Sequence, residues 1–137
     1  MLSSATGRIF AAFLPERVTR DYFKTELIAA QTEARSRLPQ NEAGLHEFLN
    51  AVRRRAMARV AGEFLPGVAA ISVPVFGPEG EVKAAITAVG RAETLDIAWD
   101  GRVAQELKAY ASRLSGSSSA KTLNQTINDP TLRAPAG

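Results

Sequence analysis

Val68-Ala69-Ala70-Ile71-Ser72-Val73-Pro74-Val75-Phe76, then Gly77-Pro78-Glu79-Gly80, then Glu81 through Gly90, is the stretch on which the fold turns. The first run is almost wholly apolar and rich in β-branched residues, and it is too short for an amphipathic helix. Gly77-Pro78-Glu79-Gly80 is a turn by composition, glycine supplying positive φ and proline presetting its own. A second apolar run follows at once, so the pair reads as a long antiparallel hairpin. Pro74 has no amide hydrogen for a ladder. Its strand therefore lies at an edge, or the position faces outward at a bulge. Both runs are apolar at odd and even positions, which predicts cover on both faces of the sheet.

Helical patterns lie on either side of the hairpin. Ser4 to Pro15 reads as a short helix with Ser4 as N-cap, the i,i+4 pairs Ile9/Phe13 and Phe10/Leu14, and Pro15 as the stop. From Thr19 to Leu38, Phe23, Leu27, Ala30, Ala34 and Leu38 form one stripe ending at Pro39. A third helix is expected from Asn41 to Ala58, burying Leu45, Phe48, Leu49, Val52 and Ala56. A fourth runs from an Asp100 cap to Leu114, with Val103, Leu107, Tyr110 and Leu114 on one side. After Leu114 the character changes: 14 of the 23 residues in 115–137 are Ser, Thr, Asn, Gln, Gly or Pro. Such a segment buries too little apolar surface to offset its ordering entropy, so a flexible tail is expected there. The remaining 1–114 form one domain.

Composition narrows the functions. The chain has 137 residues, enough for one domain, and 24 alanines dilute its hydrophobic 45%. No run reaches the ~18 apolar residues of a membrane span, and Met1-Leu2-Ser3-Ser4 lacks a secretory signal's basic and apolar regions. A soluble, cytoplasmic protein without membrane contact is expected. Cysteine is absent and His46 is the one histidine, which leaves no thiolate or multi-histidine metal site and no cysteine nucleophile. No cofactor motif is present, because no strand–GxxxxGK–helix order exists. A net charge of +3 is a weak field and poor ground for nucleic-acid binding.

No catalytic constellation emerges, so the chain does not read as an enzyme. His46 sits in an ordinary amphipathic helix and reads as a boundary residue. Arg53-Arg54-Arg55 with Arg59 could contact nucleic acid, but no interleaved aromatics accompany them. Solvated cations complementing the dipole of a helix's last turn explain them better. Ser72 and Thr87 interrupt the apolar hairpin, and a buried hydroxyl needs a partner, from the backbone or from a ligand. From residues alone, the chain is a mixed α/β domain for binding or assembly.

Three segments add a resemblance. Ser4-Ala5-Thr6-Gly7-Arg8 through Ala12-Phe13-Leu14-Pro15, then Pro66-Gly67-Val68 through Pro74-Val75-Phe76 with Gly80 and Ala84-Ala85-Ile86-Thr87-Ala88-Val89-Gly90, and finally Ala111-Ser112-Arg113-Leu114-Ser115 resemble, in order and spacing, motifs of the IclR family of bacterial transcriptional regulators. The resemblance covers about 2–116. It implies an α+β fold: a GAF-like antiparallel sheet, partial here, flanked by helices and followed by a disordered C-terminal tail. It implies an effector-binding domain that senses a small organic acid, with its pocket on one sheet face. Carried over by position, that pocket comprises Ala5 and Thr6 at the helix start, Val60 before the hairpin, Val68 and Ala70 on the first strand, and Thr87 and Val89 on the second; Ser72 joins them from its hydroxyl in the apolar run. Free amides at the helix start suit a carboxylate, and Thr87 is the expected side-chain donor. Apolar side chains at Val60, Ala70 and Val89 imply a bulky or aromatic acid.

The resemblance also implies that the domain is incomplete at its N-terminal end, lacking opening strands and the helix-turn-helix that reads DNA. This fragment would then make no direct DNA contact. A bare sheet edge invites pairing, so a homo-oligomer, dimer or tetramer, is expected. The alternative is an assembly module in which the pocket does nothing, distinguishable by whether a cavity of about 300 Å³ or more lies beside Thr6 and Thr87.

Overall fold

The computed structural model describes residues 1–32, 38–63 and 65–116, arranged as α1 (Ala5–Phe13), α2 (Glu16–Thr32), α3 (Glu42–Arg55), β1 (Ala58–Ala61), β2 (Val68–Phe76), β3 (Val82–Arg91) and α4 (Arg102–Gly116). The fold is α+β, with an antiparallel sheet in the order β1-β2-β3. None of the described helices is long and apolar enough to cross a membrane.

The local signals explain most boundaries. Ser4 caps α1, its hydroxyl accepting from the Gly7 amide at 3.0 Å. Asn41 caps α3 in the same way, through Gly44 at 2.7 Å. Only Leu14 and Pro15 separate α1 from α2, which begins at Glu16, three residues before the expected Thr19. An acidic residue in the first turn favours that earlier start. The far end of the expected second helix, with Ala34, lies outside the described residues.

The structure differs from the expectations at four points. The third helix stops at Arg55, not Ala58, because Ala56 turns left-handed at φ 49°. The chain is thereby redirected into β1, a strand absent from the sequence reading, and Val60 is one of its residues. The fourth helix starts at Arg102, so Asp100 lies before it and Gly101 accepts the first helical bond, from Gln105. Its buried face is Ala104, Leu107 and Ala111, with Val103 and Leu114 alongside, while Tyr110 is exposed. Small alanines let that face seat closely on the sheet, rotating the stripe away from Tyr110. The helix also continues through Ser115 and Gly116, where the tail was expected to begin. The rest of that expectation lies outside the described residues.

β2 is the hub. Its register sets Ser72 against Ala58 on one side and Thr87 on the other, and Ala70 against Val60 and Val89. Alternation then divides its side chains. Ile71, Val73 and Val75 join Met57 and the buried face of α4 in one core cluster. Ala70 and Ser72 point to the opposite face, where α1 and α3 pack through Ile9, Ala12, Leu45, Leu49 and Val52 around Ala58. Pro74 lies beyond the end of β1, so β2 has one neighbour there, and its register slips just after, between Val75 and Phe76. The edge alternative for Pro74 holds locally. The expectation of two covered faces holds for β2 and fails for β3, where Val89 is 66% exposed. α1 begins over Thr87 and does not reach the position two residues further along. Among the described residues, β3 has no strand on its outer side.

Candidate functional site

Ala5 is buried against Val60 and Ala70, which packs the first turn of α1 onto β1 and β2. The next residue, Thr6, thereby meets β3. Its Oγ1 lies 2.6 Å from Thr87 Oγ1, which in turn lies 2.8 Å from Ser72 Oγ. Ser72 is fully buried, whereas Thr6 and Thr87 are half-buried. The hydroxyls thus serve as partners for one another. Three hydroxyl hydrogens serve two contacts, so one remains, and it belongs to Thr87 when Thr6 and Ser72 both donate to Thr87. The amides of Ala5 and Thr6 have no acceptor among the described residues, as expected for the first turn of a helix.

Six of the eight sequence-chosen residues thus converge: Ala5, Thr6, Val60, Ala70, Ser72 and Thr87. Val68 and Val89 lie on the same sheet face, two residues along their strands, Val68 half-buried and Val89 exposed. Ala5, Val60, Ala70 and Ser72 are buried under the helix start, so the surface that meets solvent is an apolar shelf of Val89 with Val68, bordered by Thr6 and Thr87. Thr6 and Thr87 touch directly, so no gap separates helix from strand at that point.

Arg8, one turn into α1, holds the surroundings rigid. It is 8% exposed, donates from Nε to Leu2 O and from Nη1 to Arg59 O (both 2.7 Å), and pairs with Glu63. Its guanidinium also lies over the Phe48 ring at 5.1 Å. No sequence signal separates this buried arginine from the surface ones, since its partners come from residues far along the chain.

The arginine run is less uniform than its reading as solvated charge. Arg53 donates to Ala12 O at 2.6 Å and Asn50 Oδ1 at 2.8 Å, tying α3 to the end of α1. Arg55 and Arg59 both stack on Trp99. The aromatic partner missing from the local sequence is supplied from the connection before α4. His46 is exposed on α3. Two cavities lie outside the shelf, the first sharing Val60 with it. One of about 540 Å³ is bordered by α3, β1 and Trp99, and one of about 460 Å³ lies among the first three helices.

A family model described as "Bacterial transcriptional regulator IclR C-terminal" matches residues 1–116. The chain is similar to the crystal structure of HmgR from Pseudomonas aeruginosa, with 35% identity and a TM-score of 0.71 over 83% of this chain and 43% of that one. It is also similar to the Thermotoga maritima IclR, at 26% identity and a TM-score of 0.62, covering 82% and 44% respectively. The inducer-binding domain of PobR from Acinetobacter, a double mutant in complex with 3-hydroxybenzoic acid, shares the fold at 21% identity and a TM-score of 0.64, covering 82% and 63%. The chain spans less than half the length of HmgR and of the Thermotoga protein. No protein of curated function matches the sequence.

Proposed function

This chain belongs to the family of IclR bacterial transcriptional regulators, as part of their C-terminal domain, and from that premise we propose that it senses a small organic acid on the shelf beside α1. The observation that carries the reading is the Thr6–Thr87–Ser72 hydroxyl chain, placed where the unbonded start of a helix meets exposed apolar sheet. A carboxylate fits at the Ala5 and Thr6 amides, where the helix dipole favours negative charge. Thr87 supplies the remaining hydroxyl donor. Val68 and Val89, with Val60 and Ala70 buried beside them, offer no polar group to a small hydroxylated acid, so a bulky or aromatic body is favoured there. The complex of PobR with 3-hydroxybenzoic acid supports a benzenoid acid as the first probe.

In this reading residues 1–114 are the sensing domain and 115–137 a tail. The domain works in the cytoplasm as a homo-oligomer, dimer or tetramer. It alters DNA binding by a helix-turn-helix domain outside this chain and touches no DNA itself. No catalytic step or cofactor enters. A second reading, assembly without a ligand, is favoured by the direct contact of Thr6 with Thr87.

Thermal shift separates the two. Benzoate should raise the midpoint, and Thr87→Val or Val89→Asp should shrink that rise by at least half while glyoxylate and pyruvate do little. A response to glyoxylate or pyruvate alone would count against the aromatic acid. No response to any acid would favour assembly.

A further inference from the structure

The cavity of about 540 Å³ on the outer side of β1 shares only Val60 with the shelf, and it has the makings of a separate site. Arg55 projects from the last turn of α3 and Arg59 from β1, and both reach the same indole. Their Cζ atoms lie 4.3 and 4.1 Å from the centre of the Trp99 ring, within cation–π range. Two cations on one ring are closer to each other than the ~10 Å screening length of 0.1 M salt, so they repel. Among the described residues neither pairs with a carboxylate. Glu63, the acid lining this cavity, is committed to Arg8.

The positive charge is also held in place. Arg59 Nη1 donates to Ile97 O at 2.9 Å, which fixes the guanidinium and the connection carrying Trp99 together. Beneath the arginines the wall is apolar, formed by Phe48, Val52, Met57 and Ile97. An uncompensated, pre-placed pair of guanidiniums above an apolar wall suits a compact organic anion, and the volume lies in the range of small-molecule sites. We infer that this cavity binds an aromatic carboxylate, its carboxylate on the N–H groups of Arg55 and Arg59 that point past the indole edge and its ring against Phe48, Met57 and Ile97. The inference is independent of the shelf beside α1.

Trp99 is the sole tryptophan, so its fluorescence reports this cavity alone. Benzoate should change its emission saturably at millimolar concentrations, and benzamide, of the same shape without the charge, should not. Arg55→Gln and Arg59→Gln should each weaken the benzoate-dependent change in Trp99 emission about tenfold, and Arg20→Gln, which removes an exposed arginine on α2, should leave that change unaltered. Arg55 is exposed at a helix end, so its variant keeps the fold even where the Arg59 variant does not. Absence of a saturable change with benzoate, an equal response to benzamide, or a response kept at full strength in both the Arg55 and Arg59 variants would each overturn the assignment.

Discussion

Arg8 shows how much one side chain carries here. It satisfies the Leu2 and Arg59 carbonyls, neutralises Glu63 and covers Phe48. Arg8→Ala would strand both carbonyls and leave Glu63 without its cation, so it should destabilise the domain by about 3 kcal/mol in denaturant unfolding. Arg8→Lys should recover only part, because an ammonium cannot reach three divergent acceptors as a planar fork does. Glu81, at the end of the hairpin turn, is the one side chain among the described residues whose titration clearly departs from its usual value near 4.5. Its own backbone amide is the largest cause, followed by weaker help from Lys83 at 3.2 Å and the Glu79 amide, which together outweigh desolvation and lower the pKa. A lowered folded pKa means a small stabilisation that is present above the unfolded pKa and lost as pH falls through the folded one. An NMR titration of the Glu81 carboxyl should therefore show a midpoint below the usual value, and Lys83→Met should move it upward.

At the scale of elements, the junction of α3 and β1 is the most sequence-silent feature. Ala56 occupies the left-handed region at φ 49°, ψ 41°, where helices usually end on glycine. A Cβ in that conformation costs roughly 1–2 kcal/mol. Ala56→Gly should accordingly stabilise the domain by about 0.5–1 kcal/mol, raising the melting midpoint by a few degrees in calorimetry, since the lost methyl is only half-buried. An unchanged or lower midpoint would show that the methyl's packing outweighs its strain. The caps, by contrast, were legible: Ser4 and Asn41 act as their residue types dictate. So was the hairpin, whose Gly80 takes the positive φ its turn requires.

For the whole molecule, the deciding asymmetry is between the two sides of β2. β1 covers only Ala69 to Ser72 on one side, whereas β3 runs the length of β2 on the other and is itself bare on its outer side among the described residues. A ten-residue edge with Val89 and Ala84 exposed invites a further strand. Light scattering should show association that grows with protein concentration and is reduced by Val89→Pro, which removes an outward-facing edge donor at an exposed position opposite Ala70. A monodisperse monomer at high concentration would refute it. Sequence alone determined the elements whose signals are local: capped amphipathic helices, a hairpin with its turn, and the motif order that marks the family. The choice of the eight shelf residues came from the family resemblance, with Ser72 added as a buried hydroxyl, and no local pattern marked Val60 as part of a strand. What only the tertiary structure decided depends on residues far apart in the chain. Ser72 and Thr6 find their partner in Thr87, Arg8 becomes a buried hub, Trp99 meets Arg55 and Arg59, and Tyr110 yields its place to two alanines. Hydrogen bonds and close packing of that kind are set by which surfaces meet, and no local pattern of residues encodes that meeting.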